Sequence, residues 1–340
     1  MIGQTTWNEL ISQPNAWRQL LARLDAGKGQ PKVRLADYDE VVAIGSGTSY
    51  YLALSIADFL RRRDRDARAI PSCEVVLDAW ETRSDLACRR LAIAISRSGE
   101  SSELLMAVKA LQGAGVSVLG VSCTAESSLL ACADECFLVD EGHENGLVML
   151  RSFTGMLIAL QHLFGSDADR IALNSLPSAG DDALAHSDAV RTLVQSRPFD
   201  RFVFLGSGPS YPVALEASLK VQEMSIATSE AYHSLEYRHG PKATAGANTL
   251  VSLFALEDDS LGQSLVRDIR SLGATVLVVG SRAQAYVEVA DLVIVAGNDS
   301  DPGRAASIDL LPLQVLAYEN AMRRGRNPDA PINLSKVVLF

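Results

Sequence analysis

A strand-turn-helix motif that occurs twice constrains this chain more than any other feature: VVAIGSGTSYYLAL at 41–54 returns as FVFLGSGPSYPVAL at 202–215. Gly45 and Gly206 are 206 − 45 = 161 residues apart, and the spacing holds across the motif. Two further echoes follow in order, GVSVLGVSC from Gly115 against GATVLVVGS from Gly273, and ADECFLV (133–139) against ADLVIVA (290–296). A duplicated domain is the economical explanation. Within each copy, β-branched runs bounded by Gly or Ser alternate with stretches of helical spacing, such as 50–63 with Leu52, Ile56, Phe59 and Leu60. That alternation predicts the α/β class, two tandem doubly wound parallel sheets. The expected organisation is an N-terminal helical segment (1–24), a first domain (25–175), a second (176–325) and a tail (326–340). The join falls in the small and acidic stretch 165–190, which is partly helical on this reading, and Pro328 and Pro331 are expected to stop the helix before the tail.

Composition then excludes classes of function. With 41 acidic against 31 basic residues the formal charge is −10, so no nucleic-acid partner is expected, because backbone binding needs a basic stripe to displace counterions. An anionic substrate must be held by a local arrangement. The cysteines (73, 88, 123, 132, 136) form no CxxC pair and lack histidines at metal-ligand spacing, which predicts a reduced, cytoplasmic setting and no metal site. No apolar run reaches the ~18 residues of a membrane span, and the start of the sequence does not read as a leader, so the expectation is a soluble, unprocessed chain with no membrane partner.

Four groups of residues can carry chemistry. Gly47, Thr48 and Ser49 lie at the first strand-to-helix turn, where small residues let the backbone approach a ligand and hydroxyls join exposed N–H groups to make an anion site. An ordinary helix cap explains the same residues, and Tyr50 stands where a dinucleotide fingerprint needs a third glycine. Ser96-Arg97-Ser98-Gly99-Glu100-Ser101 follows the apolar run LAIAI (91–95). Three hydroxyls and a guanidinium there can hold a phosphate, or the segment is a serine-rich cap. The corresponding place in the second copy reads Leu256-Glu257-Asp258-Asp259-Ser260, which repels phosphate, so one anion site per chain is expected. In PVALEASLKVQEMS, Glu216, Lys220 and Glu223 share one helix face. That face is either a solvated ion-pair surface or a general base placed at the carboxyl ends of the strands. Lastly, Glu236-Tyr237-Arg238-His239-Gly240-Pro241-Lys242 sets a histidine in a charged loop, a surface residue or a proton shuttle, with His233 close by in sequence.

On these residues the chain resembles the sugar isomerase (SIS) superfamily, in particular the isomerase domain of glucosamine-6-phosphate synthase and free-standing tagatose-6-phosphate isomerases or amino-sugar-phosphate deaminases. The resemblance runs from ELISQPNAW through GTSY, SRSGES, ALEASLKVQEMS and RHGPK to PLQVLAYENAM and NLSK. It implies flavodoxin-like SIS domains, no cofactor, and a homodimer whose partner subunit supplies the histidine. By similarity, Thr48, Ser49, Ser96, Ser98 and Ser101 hold the sugar phosphate. Glu223 moves a proton between carbons 1 and 2, His239 opens the ring, and Lys336 contacts the open-chain carbonyl. Apart from the resemblance, Lys220 on the helix face and Glu236 and Arg238 in the histidine loop are candidate supporting residues by their place in the sequence. Departures stand beside these matches. Arg97 replaces an amide side chain, Met149 and Arg151 replace a serine and a lysine that line the sugar site, and no glutaminase domain precedes the match, so glutamine is not expected as nitrogen donor. The implied reaction is aldose/ketose isomerisation of a hexose 6-phosphate coupled to deamination of an amino sugar. Simple isomerisation, fructosamine 6-phosphate deglycation and non-catalytic sugar-phosphate sensing are the alternatives. The apolar ending NLSKVVLF is expected to dock Val337, Val338, Leu339 and Phe340 and so fix Lys336.

Overall fold

The computed structural model describes residues 2–77, 88–297 and 301–338 and divides the chain into two compact units. The unit holding the N-terminal copy of the motif consists of Asn15–Asn145, Met149–Asn174 and Ser335–Phe340; the other consists of Met1–Pro14, Gly146–Val148 and Ser175–Leu334. Leu339 and Phe340 lie outside the described residues.

In the first unit, β1 (Glu40–Gly45), β2 (Ala67–Pro71), β3 (Arg90–Ile95), β4 (Ser117–Ser122) and β5 (Glu135–Leu138) form one parallel sheet in the order β2-β1-β3-β4-β5. Central strands covered on both faces must be apolar along their whole length, and EVVAIG and RLAIAI are so buried that only Arg90 keeps partial exposure. Val42, Ile44, Ala92 and Ala94 pack with Leu104, Val108 and Leu111 of the helix Ser102–Gly113. Each large side chain among these contributes roughly 1.5–3 kcal/mol on burial. The chain leaves β1 toward one edge of the sheet and β3 toward the other. The loops after β1 and β3 therefore part company at their carboxyl ends and leave a crevice, the place where doubly wound sheets take ligands.

The second unit repeats the winding with β6 (Arg201–Gly206), β7 (Thr228–His233), β8 (Thr249–Phe254), β9 (Thr275–Val279) and β10 (Leu292–Ile294), ordered β10-β9-β8-β6-β7 and parallel throughout. The duplication is visible down to single atoms. A Cβ on Gly45 would lie 2.5 Å from the Ser49 carbonyl carbon, and one on Gly206 would lie 2.3 Å from the Ser210 oxygen. Gly47 and Gly208 take φ of 56° and 54°, where a side chain is strained. Both turns therefore need glycine at both places. The stretch 165–190 is more helical than expected, with helices Asp167–Leu173 and Leu176–Leu184 and the start of Ser187–Gln195.

The proline reading needs correction. The long helix Pro302–Arg323 carries Pro312 in its interior, and it ends before Pro328 is reached. Gly325, at φ 65°, turns the chain, and Arg326 N–H bonds back to the Ala321 carbonyl at 2.9 Å. A glycine C-cap stops this helix.

Candidate active site

In the first unit the crevice is built from the turn after β1 and the loop after β3. Thr48 and Ser49 occupy the first turn of the helix Thr48–Arg61, and both are buried. Neither caps that helix, since Gly47 holds the cap position with no side-chain bond. The serine loop is folded by its own hydroxyls: Ser96 Oγ accepts from Gly99 N–H at 3.0 Å and Ser98 Oγ accepts from Glu100 N–H at 3.2 Å. Gly99 is obligatory, because at φ 70° a Cβ would sit 2.4 Å from Ser127. Ser101 is the N-cap of the helix Ser102–Gly113 and makes no side-chain cap bond. Its hydroxyls and the positive end of the helix dipole give this corner groups that suit an anion.

Arg97 is turned elsewhere. Only 7% exposed, it lies with Nη1 3.6 Å from Glu144 Oε2 and donates from Nη2 to the Lys336 carbonyl at 3.3 Å. Its charge is therefore committed to Glu144 and to the tail, in contrast to the expected phosphate contact. Glu144, 1% exposed, is the hub of this region. Its carboxylate accepts from Leu150 N–H (2.8 Å), Ser152 N–H (3.0 Å) and Ser152 Oγ (2.7 Å), and its backbone carbonyl accepts from Lys336 Nζ at 3.0 Å. Lys336 also donates to the Asn145 carbonyl at 3.3 Å. Val338 offers its carbonyl to Ser102 N–H at 3.3 Å, so the tail crosses the start of the serine-loop helix. Of the residues expected to dock, Val337 is partly buried, and Leu339 and Phe340 lie outside the described residues. Val338 is 54% exposed, so at that position the tail is held by its backbone contact and not by its side chain. Of the departures, Arg151 donates to the His143 carbonyl, and Met149 is partly buried.

In the second unit the ion-pair face of the helix Ser210–Ser225 is internal. Glu216 and Lys220 are fully buried, which excludes a solvated surface. Lys220 Nζ lies 3.1 Å from Glu216 Oε1 and 2.6 Å from Glu223 Oε2, and of the three only Glu223, 19% exposed, reaches solvent. Burial is the largest influence on Lys220 and opposes its charge, yet the two carboxylates together hold its pKa above the ordinary 10.5. Lys220 is therefore an ammonium at neutral pH, unable to act as base or nucleophile, and it sets a positive charge against the Glu223 carboxyl group.

The histidine loop is pinned on one side and open on the other. Tyr237 is fully buried, with its phenol pushed up to about 12 by burial. Arg238 pairs with Asp268 at 2.8 Å and donates to Ser264 at 2.9 Å on the helix Asp259–Ser271. Glu236 and His239 remain exposed. Arg238 thus anchors the loop rather than facing a ligand. His233 stacks on Tyr211 with ring centroids 3.7 Å apart. At the place equivalent to the serine loop, Asp258 Oδ1 accepts from Ser260 N–H (3.0 Å), Leu261 N–H (3.1 Å) and Ser260 Oγ (2.6 Å). The side-chain bond from Ser260, followed by the Leu261 N–H, lowers its pKa. This helix start is already filled by a carboxylate of its own chain. Among the described residues no group of three or more His, Cys, Asp or Glu is placed to hold a metal, and no helix is long and apolar enough to cross a membrane.

Tandem five-stranded parallel sheets, one with a hydroxyl-lined helix start that no side chain caps and one with that start capped by Asp258, define a duplicated doubly wound α/β protein. The chain belongs to the SIS-domain family, whose model matches residues 34–166 and 197–322. It is 30% identical over 345 residues to the glutamine--fructose-6-phosphate aminotransferase (isomerizing) of Pyrococcus horikoshii, covering 97% of this chain and 56% of that protein. The chain thus spans about half the length of the curated relatives it matches. A solved glucosamine-6-phosphate deaminase from Thermotoga maritima is 30% identical, with a TM-score of 0.82 over 99% of this chain and 100% of that one. The tagatose-6-phosphate ketose/aldose isomerase of Escherichia coli shares the fold, with a TM-score of 0.83 at 23% identity. These relatives are enzymes by name.

Sequence reasoning missed Glu144. Its only signal was an acidic residue in the run EGHENG, and its role depends on four chain segments that meet only in the fold.

Proposed function

We propose that this chain is a cofactor-free phosphosugar enzyme that binds a hexose 6-phosphate, moves a proton between carbons 1 and 2, and deaminates an amino-sugar substrate. The observation that supports the reading is the serine loop at the start of the helix Ser102–Gly113, which no side chain caps, together with Thr48 and Ser49 in the first turn of the helix after β1, hydroxyls at helix starts that suit a phosphate. Glu223 is the base: a carboxylate with one edge in solvent and the other against a permanent ammonium takes the proton from carbon 2 and returns it to carbon 1. His239, exposed on its pinned loop, shuttles the ring-opening proton. Lys336, held by the carbonyls of Glu144 and Asn145, polarises the open-chain carbonyl. With nitrogen on carbon 2, proton transfer yields a ketose imine. Water adds to it and ammonia leaves, so one water is consumed for each ketose phosphate and ammonia formed. The working form is a homodimer in which the partner subunit supplies the histidine.

The reading draws on the 30% identity to the Thermotoga deaminase along its whole length. The test is a panel of 2-amino-hexose 6-phosphates assayed for ammonia and ketose phosphate together. Equimolar release supports deamination, and ketose without ammonia assigns simple isomerisation. Release of an amine other than ammonia from fructosamine 6-phosphates assigns deglycation. Saturable binding with no product from any member would make the chain a sensor.

A further inference from the structure

Arg97 joins three parts of the first unit. Its backbone carbonyl accepts from Cys123 N–H at 3.2 Å, Ser122 Oγ at 3.1 Å and Thr124 Oγ1 at 3.1 Å, so the residue is fixed in the serine loop against the end of β4. Its side chain leaves that loop, passes Glu144 at 3.6 Å and reaches the Lys336 carbonyl at 3.3 Å. A guanidinium only 7% exposed needs an opposite charge, and Glu144 supplies it. The hydrogen-bonding needs of that carboxylate, however, are met by Leu150 N–H, Ser152 N–H and Ser152 Oγ. Neutralising Glu144 therefore explains the charge of Arg97 but not its reach to the tail.

Little else holds the tail. Lys336 and Val338 are exposed and Val337 is partly buried, and a segment with few buried apolar contacts opens readily. Besides Arg97, its fastenings to the rest of the unit are the Lys336 amine on the Glu144 and Asn145 carbonyls and Ser102 N–H on the Val338 carbonyl. An amine that turns toward a substrate carbonyl gives up its two backbone acceptors and cannot anchor its own residue at the same time. Arg97 grips that residue by its main chain, and the grip survives the turn.

We propose that Arg97 is a positioning residue that fastens the main chain of Lys336 to the serine loop, so that the loop that takes the phosphate also sets where the amine stands. The parts given to phosphate and amine rest on the function proposed above. A guanidinium suits the task because its planar fork turns one nitrogen to Glu144 and another to the tail. An ammonium is a single point charge and does not span the two.

Trypsin reads the fastening directly, because the carbonyl that Arg97 holds belongs to the peptide bond cut after Lys336. In the native full chain, Arg97→Gln is expected to be cut there roughly tenfold faster than the parent, with cleavage elsewhere unchanged, since local opening governs access. On the substrate that the ammonia assay establishes, kcat is expected to fall roughly ten- to a hundredfold with KM little changed, because a misplaced reacting group costs rate and not ground-state binding. Arg97→Lys keeps a cation beside Glu144 should the glutamine variant fold poorly, and it too is expected to be cut faster at Lys336. Cleavage at Lys336 that neither substitution changes overturns the inference. So does a faster cut accompanied by parent kcat, or by a rise in KM alone. A Lys336→Met protein with parent turnover would instead strike the part given to the amine, and cleavage would still decide whether Arg97 fastens the tail.

Discussion

Three side chains on two turns of one helix illustrate how a buried charge is made useful. Lys220 carries two carboxylates, one sealed and one at the edge of solvent, and the roles separate on substitution. Glu223→Gln preserves shape and leaves Lys220 its bond to Glu216. Turnover is expected to fall by roughly 10²–10⁴ with modest change in affinity, as removal of a general base generally gives. Normal turnover with lost stability would return Glu223 to a structural part. Lys220→Met removes the cation that lies 3.1 Å from the fully buried Glu216, and breaking a buried pair in this way costs about 3–5 kcal/mol. Chemical denaturation should therefore rank it well below Glu223→Gln. The pH dependence has a definite sign. Because the folded pKa of Lys220 is raised, its contribution is complete below the unfolded value of 10.5 and is lost only as pH rises through the still higher folded value. Unfolding free energy should thus show no Lys220 step between pH 6 and 9.

At the level of elements, the loops decide what the shared sheet topology can bind. The same turn glycines and strand order recur in both units, but one helix start has no side-chain cap and the other is capped by Asp258. Calorimetry with a hexose 6-phosphate is expected to return one site per chain; two equivalent sites would refute the asymmetry. Gly45→Ala and Gly206→Ala should each destabilise by about 1–3 kcal/mol, because the added Cβ meets helix backbone that cannot give way. Much of this was legible in the sequence. The repeat, the strands and the Glu216-Lys220-Glu223 face follow from periodicity, and the acidic Glu257-Asp258-Asp259 marked the closed copy. What periodicity does not carry is direction. Arg97 sits in the right loop yet points to Glu144, and Glu144 gathers partners from residues 97, 150, 152 and 336. Such contacts depend on tertiary placement, and no local pattern encodes them. Pro312 is the converse case, a residue whose local rule was overruled by the packing around a long buried helix.

For the whole molecule, the proposed shared dimer makes a quantitative prediction. His239→Ala and Lys336→Met are each expected to be inactive alone, Lys336→Met with fold and phosphate affinity intact. After random subunit exchange, half the dimers are mixed and one of their two sites is complete, so about a quarter of parent activity should return. No recovery, with exchange verified, would place the histidine and the lysine in the same subunit's site. The tail bears on how the protein is handled. Since the Val338 carbonyl rests on the first N–H of the serine-loop helix, whatever is joined beyond it is tethered next to the proposed phosphate site. A purification tag or fluorescent fusion at that end should compete sterically with substrate while leaving the melting temperature alone, and the same tag moved to the other end should not. Weak activity in a preparation tagged at that end would then report the attachment chemistry and not the enzyme.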